Sequence, residues 1–216
     1  LLNIGSTGMA GPIFNINDVS GSSCTITDGY IILEKPNTTG SSVADAVICG
    51  TNGTVAVTSG VIQFGNSNTA DGSIFNFSPI SNITWPNIYV ASPTGSAVSL
   101  QPSASNTADI KTISVHVDPN TTFDVRAISG TTGDTRKLTL TGNYDGINAI
   151  LCDGDFNGRS GALSIEGGEG QQIGGNGTLS LNDLTVNNTS GFSLGMNVTV
   201  NGLLSLTDGV IYSSSA

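Results

Sequence analysis

Short segments in which apolar and polar residues alternate recur along the whole chain. The clearest are Thr54–Thr58, Ile113–Val117, Leu138–Thr141, Leu163–Ile165, Leu179–Leu181, Val198–Val200 and Leu204–Leu206. A period of two is typical of a strand with one face in a core, and Gly, Asn or Asp separates the segments, as in turns. No stretch of helical length keeps an apolar stripe free of Gly and Pro. The pattern therefore predicts an all-β chain.

Three segments repeat the order strand, Thr-x-Gly corner, strand: Cys24–Ile31, Val55–Ile62 and Leu204–Ile211. The spacing from Thr58 to Thr207 is close to five times the spacing from Thr27 to Thr58. A corner glycine lets the chain turn through positive φ, so that successive strands stack as rungs. The repeat predicts a right-handed parallel β-helix or a related stacked-strand architecture. An antiparallel β-sandwich or jelly roll completed by a donated strand is the alternative, because its hairpins use the same turn residues.

Composition and charge exclude several classes of function. Six Lys and Arg face 16 Asp and Glu, for a net charge of −10, which argues against binding to nucleic acid. No apolar run approaches the roughly 18 residues of a membrane helix, so we expect no membrane span. An apolar content of 37% is too high for a disordered chain. We expect one all-β domain over residues 1–216.

The start of the chain, Leu1-Leu2-Asn3-Ile4, has no Met. This indicates a removed signal segment or a piece of a longer protein, so that the domain is a fragment or an assembly subunit. Residues 1–16 are a candidate donated or capping strand, because Ile13–Ile16 is apolar and precedes the first corner. Three cysteines, Cys24, Cys49 and Cys152, are either small buried hydrophobes or one disulfide with a spare thiol.

Asn-x-Ser/Thr motifs are frequent and predict glycosylation of a secreted protein; the alternative is Asn- and Thr-rich turns. The nine candidate sites are Asn37, Asn52, Asn76, Asn82, Asn120, Asn176, Asn187, Asn188 and Asn197.

The C-terminal part of the chain, from Gly177 onward, carries a family resemblance. Gly177–Asn188 followed by Val198–Ile211 resembles the parallel β-helix repeats of large surface proteins secreted by Bacteroidota. That resemblance implies an exported adhesin or stalk segment without catalysis. The many glycosylation motifs are instead similar to those of archaeal glycosylated pilus or thread subunits. This second resemblance implies a β-sandwich completed by a strand of the next subunit.

The sharpest chemical motif is Asp153-Gly154-Asp155-Phe156-Asn157-Gly158. It has the form D-x-D-x-N-G, the first half of a calcium loop, in which alternate oxygens converge on one hard cation. We predict Asp153, Asp155 and Asn157 as Ca²⁺ ligands, with Glu166 as a further ligand. The alternative is a turn with solvated carboxylates.

Signals for catalysis are weak. The single histidine, His116, lies mid-strand on the Ser/Thr face, where a solvent-facing imidazole is expected rather than a general base. A calcium-dependent polysaccharide lyase would need a base such as Arg159, beside the acidic loop. Trp85-Pro86 with Tyr89 is either an aromatic platform for sugars or part of the core.

These patterns together favour a non-enzymatic extracellular protein at the cell surface, a structural or adhesive part of a fibre, pilus-like filament or large adhesin. We expect self-association as homopolymer or head-to-tail contacts, because uncharged edge strands invite a partner strand. Surface glycans are a further expected partner. The alternative is a lyase or a carbohydrate-binding module on a β-helix.

Overall fold

The computed structural model describes residues 2–4, 12–16, 20–37, 44–48, 52–80, 83–104, 106–126 and 135–213. Within these ranges the chain forms 24 strands, numbered β1 to β24 in chain order, and no helix. No described stretch could therefore cross a membrane as a helix.

The strands form three long sheets and one short pair. Sheet 1 runs β1 Leu2–Ile4, β4 Tyr30–Leu33, β7 Val61–Phe64, β9 Asn87–Val90, β12 Val115–Val117, β15 Asn148–Cys152, β18 Gln171–Gly174, β21 Phe192–Leu194 and β24 Ile211–Ser213. Sheet 2 runs β2 Phe14–Ile16, β5 Ala46–Ile48, β8 Ser73–Ser78, β10 Val98–Pro102, β13 Thr121–Asp124, β16 Asp155–Asn157, β19 Thr178–Leu181 and β22 Thr199–Val200. Sheet 3 runs β11 Ile110–Thr112, β14 Lys137–Leu140, β17 Ala162–Gly167, β20 Asp183–Asn188 and β23 Leu204–Asp208, and β3 Ser23–Ile26 pairs with β6 Thr54–Val57.

From β10 onward the chain visits sheets 2, 3 and 1 in rotation, so that each coil adds one strand to each sheet. In the first two coils β3 and β6 take the place of sheet 3, and the described residues between β8 and β9 form no third strand. Every pairing between the described strands is parallel and joins one coil to the next. The predicted all-β, parallel β-helix architecture is confirmed. The antiparallel alternative does not occur in the described part of the chain.

The predicted corners are also confirmed. Gly29, Gly60 and Gly209 have φ values of +91°, +89° and +87°, in the region that favours glycine. The length of a coil is less regular than the repeat suggests, because sheet 1 strands begin at residues 61, 87, 115, 148, 171, 192 and 211. Six coils, rather than the five that an even spacing predicts, therefore separate Gly60 from Gly209.

Alternation along each strand places one set of side chains inside the coil. Trp85 and six of the seven phenylalanines are buried there. The ring centroids of Phe77 and Trp85 are 5.2 Å apart, and those of Phe123 and Phe156 are 5.3 Å apart. The interior is thus a continuous apolar column between the sheets.

Candidate functional site

The four predicted calcium ligands do not meet at one point. Asp155 and Asn157 lie in strand β16 on either side of the buried Phe156, and Asp153 precedes them at the corner after β15. In an extended strand, residues two apart are separated by about 6.6 Å, which spreads their oxygens. Glu166 lies in β17, on sheet 3. The segment therefore forms a corner and a strand rather than a loop wrapped around an ion.

Other groups of the protein already donate hydrogen bonds to these carboxylates. Asp153 Oδ1 accepts hydrogen bonds from the Asn176 backbone N–H (2.9 Å) and Nδ2 (3.1 Å), and the Thr178 hydroxyl bonds Asp155. Glu166 Oε1 accepts from Ser164 at 2.9 Å. Among the described residues, no group of three or more His, Cys, Asp or Glu side chains could hold a metal ion. Calcium binding stays a prediction, and this arrangement does not support it.

Arg159, the candidate lyase base, is tied to the fold. Its Nε donates to Asp124 Oδ1 at 2.7 Å, and Asp124 is fully buried. Burial raises the pKa of the Asp124 carboxyl, while the Arg159 guanidinium opposes that rise. Arg159 thus compensates a buried acid at a corner, and its assignment as a lyase base stays a prediction.

The glycosylation motifs differ in their access to solvent. Asn52, Asn120, Asn176, Asn187 and Asn197 are exposed and Asn37 and Asn76 are half-buried, while Asn82 lies outside the described residues. Asn188 is fully buried, and its Nδ2 donates to Glu169 O (2.7 Å) and Gln171 Oε1 (2.6 Å). Asn188 is therefore not available for a glycan in the folded protein, a correction to the sequence prediction.

Two of the three cysteines are described, and both are free thiols. Cys152 is buried, and burial raises its pKa to about 12. Cys24 is half-buried, and Cys49 lies outside the described residues. The prediction of small buried hydrophobes thus fits Cys152.

The most chemically distinctive cluster is on the outer face of sheet 1. His116 and Tyr89 occupy paired outward positions on β12 and β9, and their rings stack with centroids 4.4 Å apart and planes at 11°. The Tyr89 hydroxyl donates to Asp118 Oδ2 at 2.9 Å, and His116 Nε2 lies 3.5 Å from Asp118 Oδ1. The Asp118 carboxylate thus contacts both residues of the stack.

Tyr144 covers this stack from a loop before β15. Its ring centroid lies 5.2 Å from that of His116, and its hydroxyl lies 3.4 Å from that of Tyr30. The loop holds its own shape, because Asp145 Oδ1 accepts from the backbone N–H groups of Ile147 (3.1 Å) and Asn148 (2.7 Å). His116 therefore faces outward, as predicted, but it is not freely solvated.

Partial burial of this cluster shifts the pKa values of its side chains. Burial lowers the pKa of His116, and the carboxylates of Asp118, Asp153 and Asp145 oppose that shift. Burial and the bond to Asp118 raise the pKa of Tyr89. The contact with Tyr30 and partial burial raise the pKa of Tyr144 to about 12. These shifts favour the neutral forms of the His116 imidazole and of the Tyr89 and Tyr144 phenols.

Part of this cluster could be predicted from the sequence. Of the two possibilities for Trp85-Pro86 with Tyr89, Trp85 is part of the core, since it is fully buried. Alternation places His116 at an outward position of the predicted strand Ile113–Val117, and Tyr30 lies in the predicted segment Cys24–Ile31, but no predicted strand covers Tyr89. The approach of Tyr144 had no local signal, because it depends on how a loop folds across several coils.

A groove of about 230 Å³ lies further along the same face. Ile147 and Tyr212, which are 55% and 57% exposed, line it together with Ser190 and Ser193. The Tyr212 ring packs against Gly191, where a Cβ would lie 2.7 Å from Tyr212 Cε2. All four tyrosines of the chain thus lie on or over the outer face of sheet 1.

The last described coil differs from those before it. Leu138, Leu163 and Leu184 form a column of buried side chains, and Leu204 continues that column but is 50% exposed. A parallel column of Leu140, Ile165 and Val186 continues into Leu206, which is 58% exposed. Burial of each inward residue therefore depends on the coil that follows it.

Comparisons with protein-family models, curated proteins and solved structures find no significant match.

Proposed function

We propose that the chain is a non-enzymatic structural segment of an extracellular surface fibre or adhesin, in which β-helical units stack end to end. The observation that carries the proposal is that two columns of inward apolar side chains continue into Leu204 and Leu206. Inward side chains that are at most 2% exposed in the preceding coils are half exposed there. A further coil packed on Leu204 and Leu206 would bury them in the same way.

The terminal strands suit this contact. β22, β23 and β24 contain one charged residue, Asp208, and β1, β2 and β3 contain none. Edge strands without charge are open to pairing with another strand. Stacking a first coil on a last coil is a head-to-tail contact, which repeats into an open filament.

Two further features support the proposal. The resemblance of Gly177–Asn188 and Val198–Ile211 to Bacteroidota β-helix repeats implies a stalk or adhesin. The candidate strand 1–16 belongs to the first coil where it is described, because β1 pairs with β4 and β2 with β5 in the same chain; residues 1 and 5–11 lie outside the described ranges. A capping role for 1–16 at the stacking end is part of the proposal.

The test measures assembly state by light scattering and negative-stain microscopy over a range of concentrations. We expect elongated particles that grow with concentration, and mainly monomers for the double variant Leu204→Lys and Leu206→Lys. Ile74→Lys is the matched control, since Ile74 is 46% exposed on the outer face of sheet 2. A wild-type protein that stays monomeric at high concentration, or a folded double variant that assembles normally, would refute the proposal.

A further inference from the structure

The aromatic residues of the chain are divided by type between the interior and one outer surface. Trp85 and six of the seven phenylalanines are buried in the core. All four tyrosines lie instead on or over the outer face of sheet 1, together with the single histidine. Tyrosine combines an apolar ring with a hydrogen-bonding hydroxyl, which is why it is enriched at recognition surfaces. This division makes the outer face of sheet 1 the candidate recognition surface.

The accessible part of this face is long and narrow. Tyr30, which is 40% exposed, lies on β4, and Tyr212 lies on β24, with Tyr144 and Ile147 between them. Seven steps of sheet 1 separate β4 from β24, which corresponds to about 34 Å at the usual strand spacing. We call Tyr30, Tyr144, Ile147 and Tyr212 the tyrosine face. A ligand that contacts all of it must be extended along the axis of the coil.

The groove at the Tyr212 end of the tyrosine face has side chains that suit a small polar ring of a ligand. Ile147 and the ring of Tyr212 are its apolar walls, and Ser190 and Ser193 are among its polar groups. Both serine hydroxyls already bond backbone oxygens, Ser190 to Gly168 at 2.6 Å and Ser193 to Gln171 at 3.4 Å. Their oxygens are therefore oriented to accept hydrogen bonds from a ligand hydroxyl. An aromatic wall with nearby polar groups suits a sugar ring, which has one apolar C–H surface and hydroxyls at its rim.

Charge narrows the class of ligand. None of the nine strands of sheet 1 contains Lys or Arg. The carboxylates of Asp118 and Asp145 lie beside the cluster around His116. An anionic polymer would be repelled by these carboxylates and would find no cation on the strands to pair with. These charges argue against an anionic ligand.

We propose that the tyrosine face binds an uncharged linear polysaccharide laid along the axis of the β-helix. The rings of Tyr30 and Tyr212 pack against the C–H surfaces of sugar units, and Ser190, Ser193 and tyrosine hydroxyls bond sugar hydroxyls. A protein partner fits less well, since an interface needs a contiguous apolar centre. Here polar side chains such as Gln172 and Ser193 lie on the strands between the exposed rings. The proposal goes beyond end-to-end stacking and does not depend on it.

Affinity electrophoresis tests the proposal, with soluble xylan, mannan or mixed-linkage β-glucan in the gel. Polygalacturonate and alginate gels are run beside them as acidic polymers. We expect retardation by at least one neutral polymer and none by the acidic ones. The double variant Tyr30→Ala and Tyr212→Ala should bind at least about tenfold more weakly, because it removes a ring contact at each end of the face. Ile74→Ala, on the outer face of sheet 2, should bind like the wild-type protein.

Three outcomes would overturn the proposal: no binding to any of the neutral polymers, binding only to acidic polymers, or equal binding by the double variant. Capture of a protein with no polysaccharide binding would assign the face to a protein partner instead. Circular dichroism and melting of each variant verify that it is folded. Light scattering on the same samples records their assembly state, so a failure of stacking is recognised separately from a failure of binding.

Discussion

The hydroxyl oxygens of Tyr30 and Tyr144 lie 3.4 Å apart, although 114 residues separate the two tyrosines in the chain. Tyr30 begins β4, and Tyr144 precedes β15, four steps away in sheet 1. The loop that carries Tyr144 must therefore fold back across the outer face of the sheet. That course places its ring on His116 and links coils that share no strand pairing.

Removal of the Tyr144 ring should raise the pKa of His116. Burial is the largest cause of the lowered value, and Tyr144→Ala uncovers the imidazole on the side that faces this loop. The carboxylate of Asp118 would then raise the pKa further, since an opposite charge favours the protonated form. Nuclear magnetic resonance titration measures this directly, because the chain has one histidine and its imidazole signals need no assignment among several rings.

Tyr144→Phe is the control for this titration. It keeps the ring and removes only the hydroxyl that approaches Tyr30, so we expect the His116 pKa to stay low. Equal pKa values in wild type and Tyr144→Ala would show that the loop does not bury the imidazole in solution.

Asp45 should make the free energy of unfolding depend on pH. It is fully buried, and burial raises its pKa from an ordinary 3.8 to about 6, although the backbone N–H groups of Asn76 (2.8 Å) and Asn37 bond its carboxylate. Between these pH values the folded state holds a proton that the unfolded state has released. Below pH 3.8 Asp45 is protonated in both states, and its contribution to the free energy of unfolding is complete. As the pH rises through 6 this contribution is lost, and the free energy of unfolding falls by about 3 kcal/mol.

The comparison that isolates this effect uses Asp45→Asn, whose side chain does not titrate. Urea unfolding gives the free energy of unfolding of each protein between pH 3.5 and 7, in roughly half-unit steps. Because other carboxylates titrate in both proteins, the comparison is between the slopes of this free energy against pH, not between its absolute values. We expect the wild-type protein to lose more stability over this range than the variant. Parallel pH profiles for the two proteins would contradict the raised pKa.

The sequence predicted the strands well because alternation is a local property that each strand must satisfy to bury one face. It could not predict the number of coils, since corners vary in length: β12 and β15 begin at residues 115 and 148, whereas β21 and β24 begin at residues 192 and 211. The D-x-D-x-N-G motif shows the limit of an argument from spacing alone. The same spacing that converges in a curved loop separates Asp155 and Asn157 in an extended strand. The contact of Tyr144 with Tyr30 depends on the assembled sheet and has no local signature.

The ring cluster around Phe77 should be the most sensitive part of the core. Phe77 contacts Phe64, Trp85 and Phe123, with centroids 5.2–6.4 Å apart. Phe77→Ala removes all three contacts and leaves a cavity, so we expect a loss of about 3–5 kcal/mol. Ile74→Ala, on the exposed face of the same strand, should change stability by no more than about 0.5 kcal/mol. Chemical denaturation measures both, and similar losses would contradict the assigned core.

Two glycines with the same backbone requirement differ in their surroundings. Gly65 and Gly72 have φ values of +92° and +75°, but only at Gly65 would a Cβ meet another group, Ala91 O at 2.5 Å. Gly72→Ala should cost roughly 1 kcal/mol, for the backbone conformation alone. Gly65→Ala should cost clearly more, because it also forces the coil of β9 away. Thermal unfolding of the pair measures the difference, and equal melting temperatures would show that neighbouring coils are not in close contact there.

The sequence motif predicts that calcium raises the melting temperature, whereas the structure predicts no change, because the groups around Asp153 are arranged for hydrogen bonds within the fold. Asp153 is held by Asn176 and Asp155 by Thr178, and Asn157 lies further along the extended strand. A bound ion at 100 times its dissociation constant would add about 2.7 kcal/mol to the free energy of unfolding, which scanning calorimetry detects easily.

The measurement compares excess Ca²⁺ with excess chelator, and Asp155→Asn is compared with Glu169→Gln as a control for the loss of one charge. A melting temperature that rises with Ca²⁺ in the wild type and the control, but not in Asp155→Asn, would establish a site at this strand. The chain would then have to bend at Gly154 to bring Asp153 toward Asp155 and Asn157.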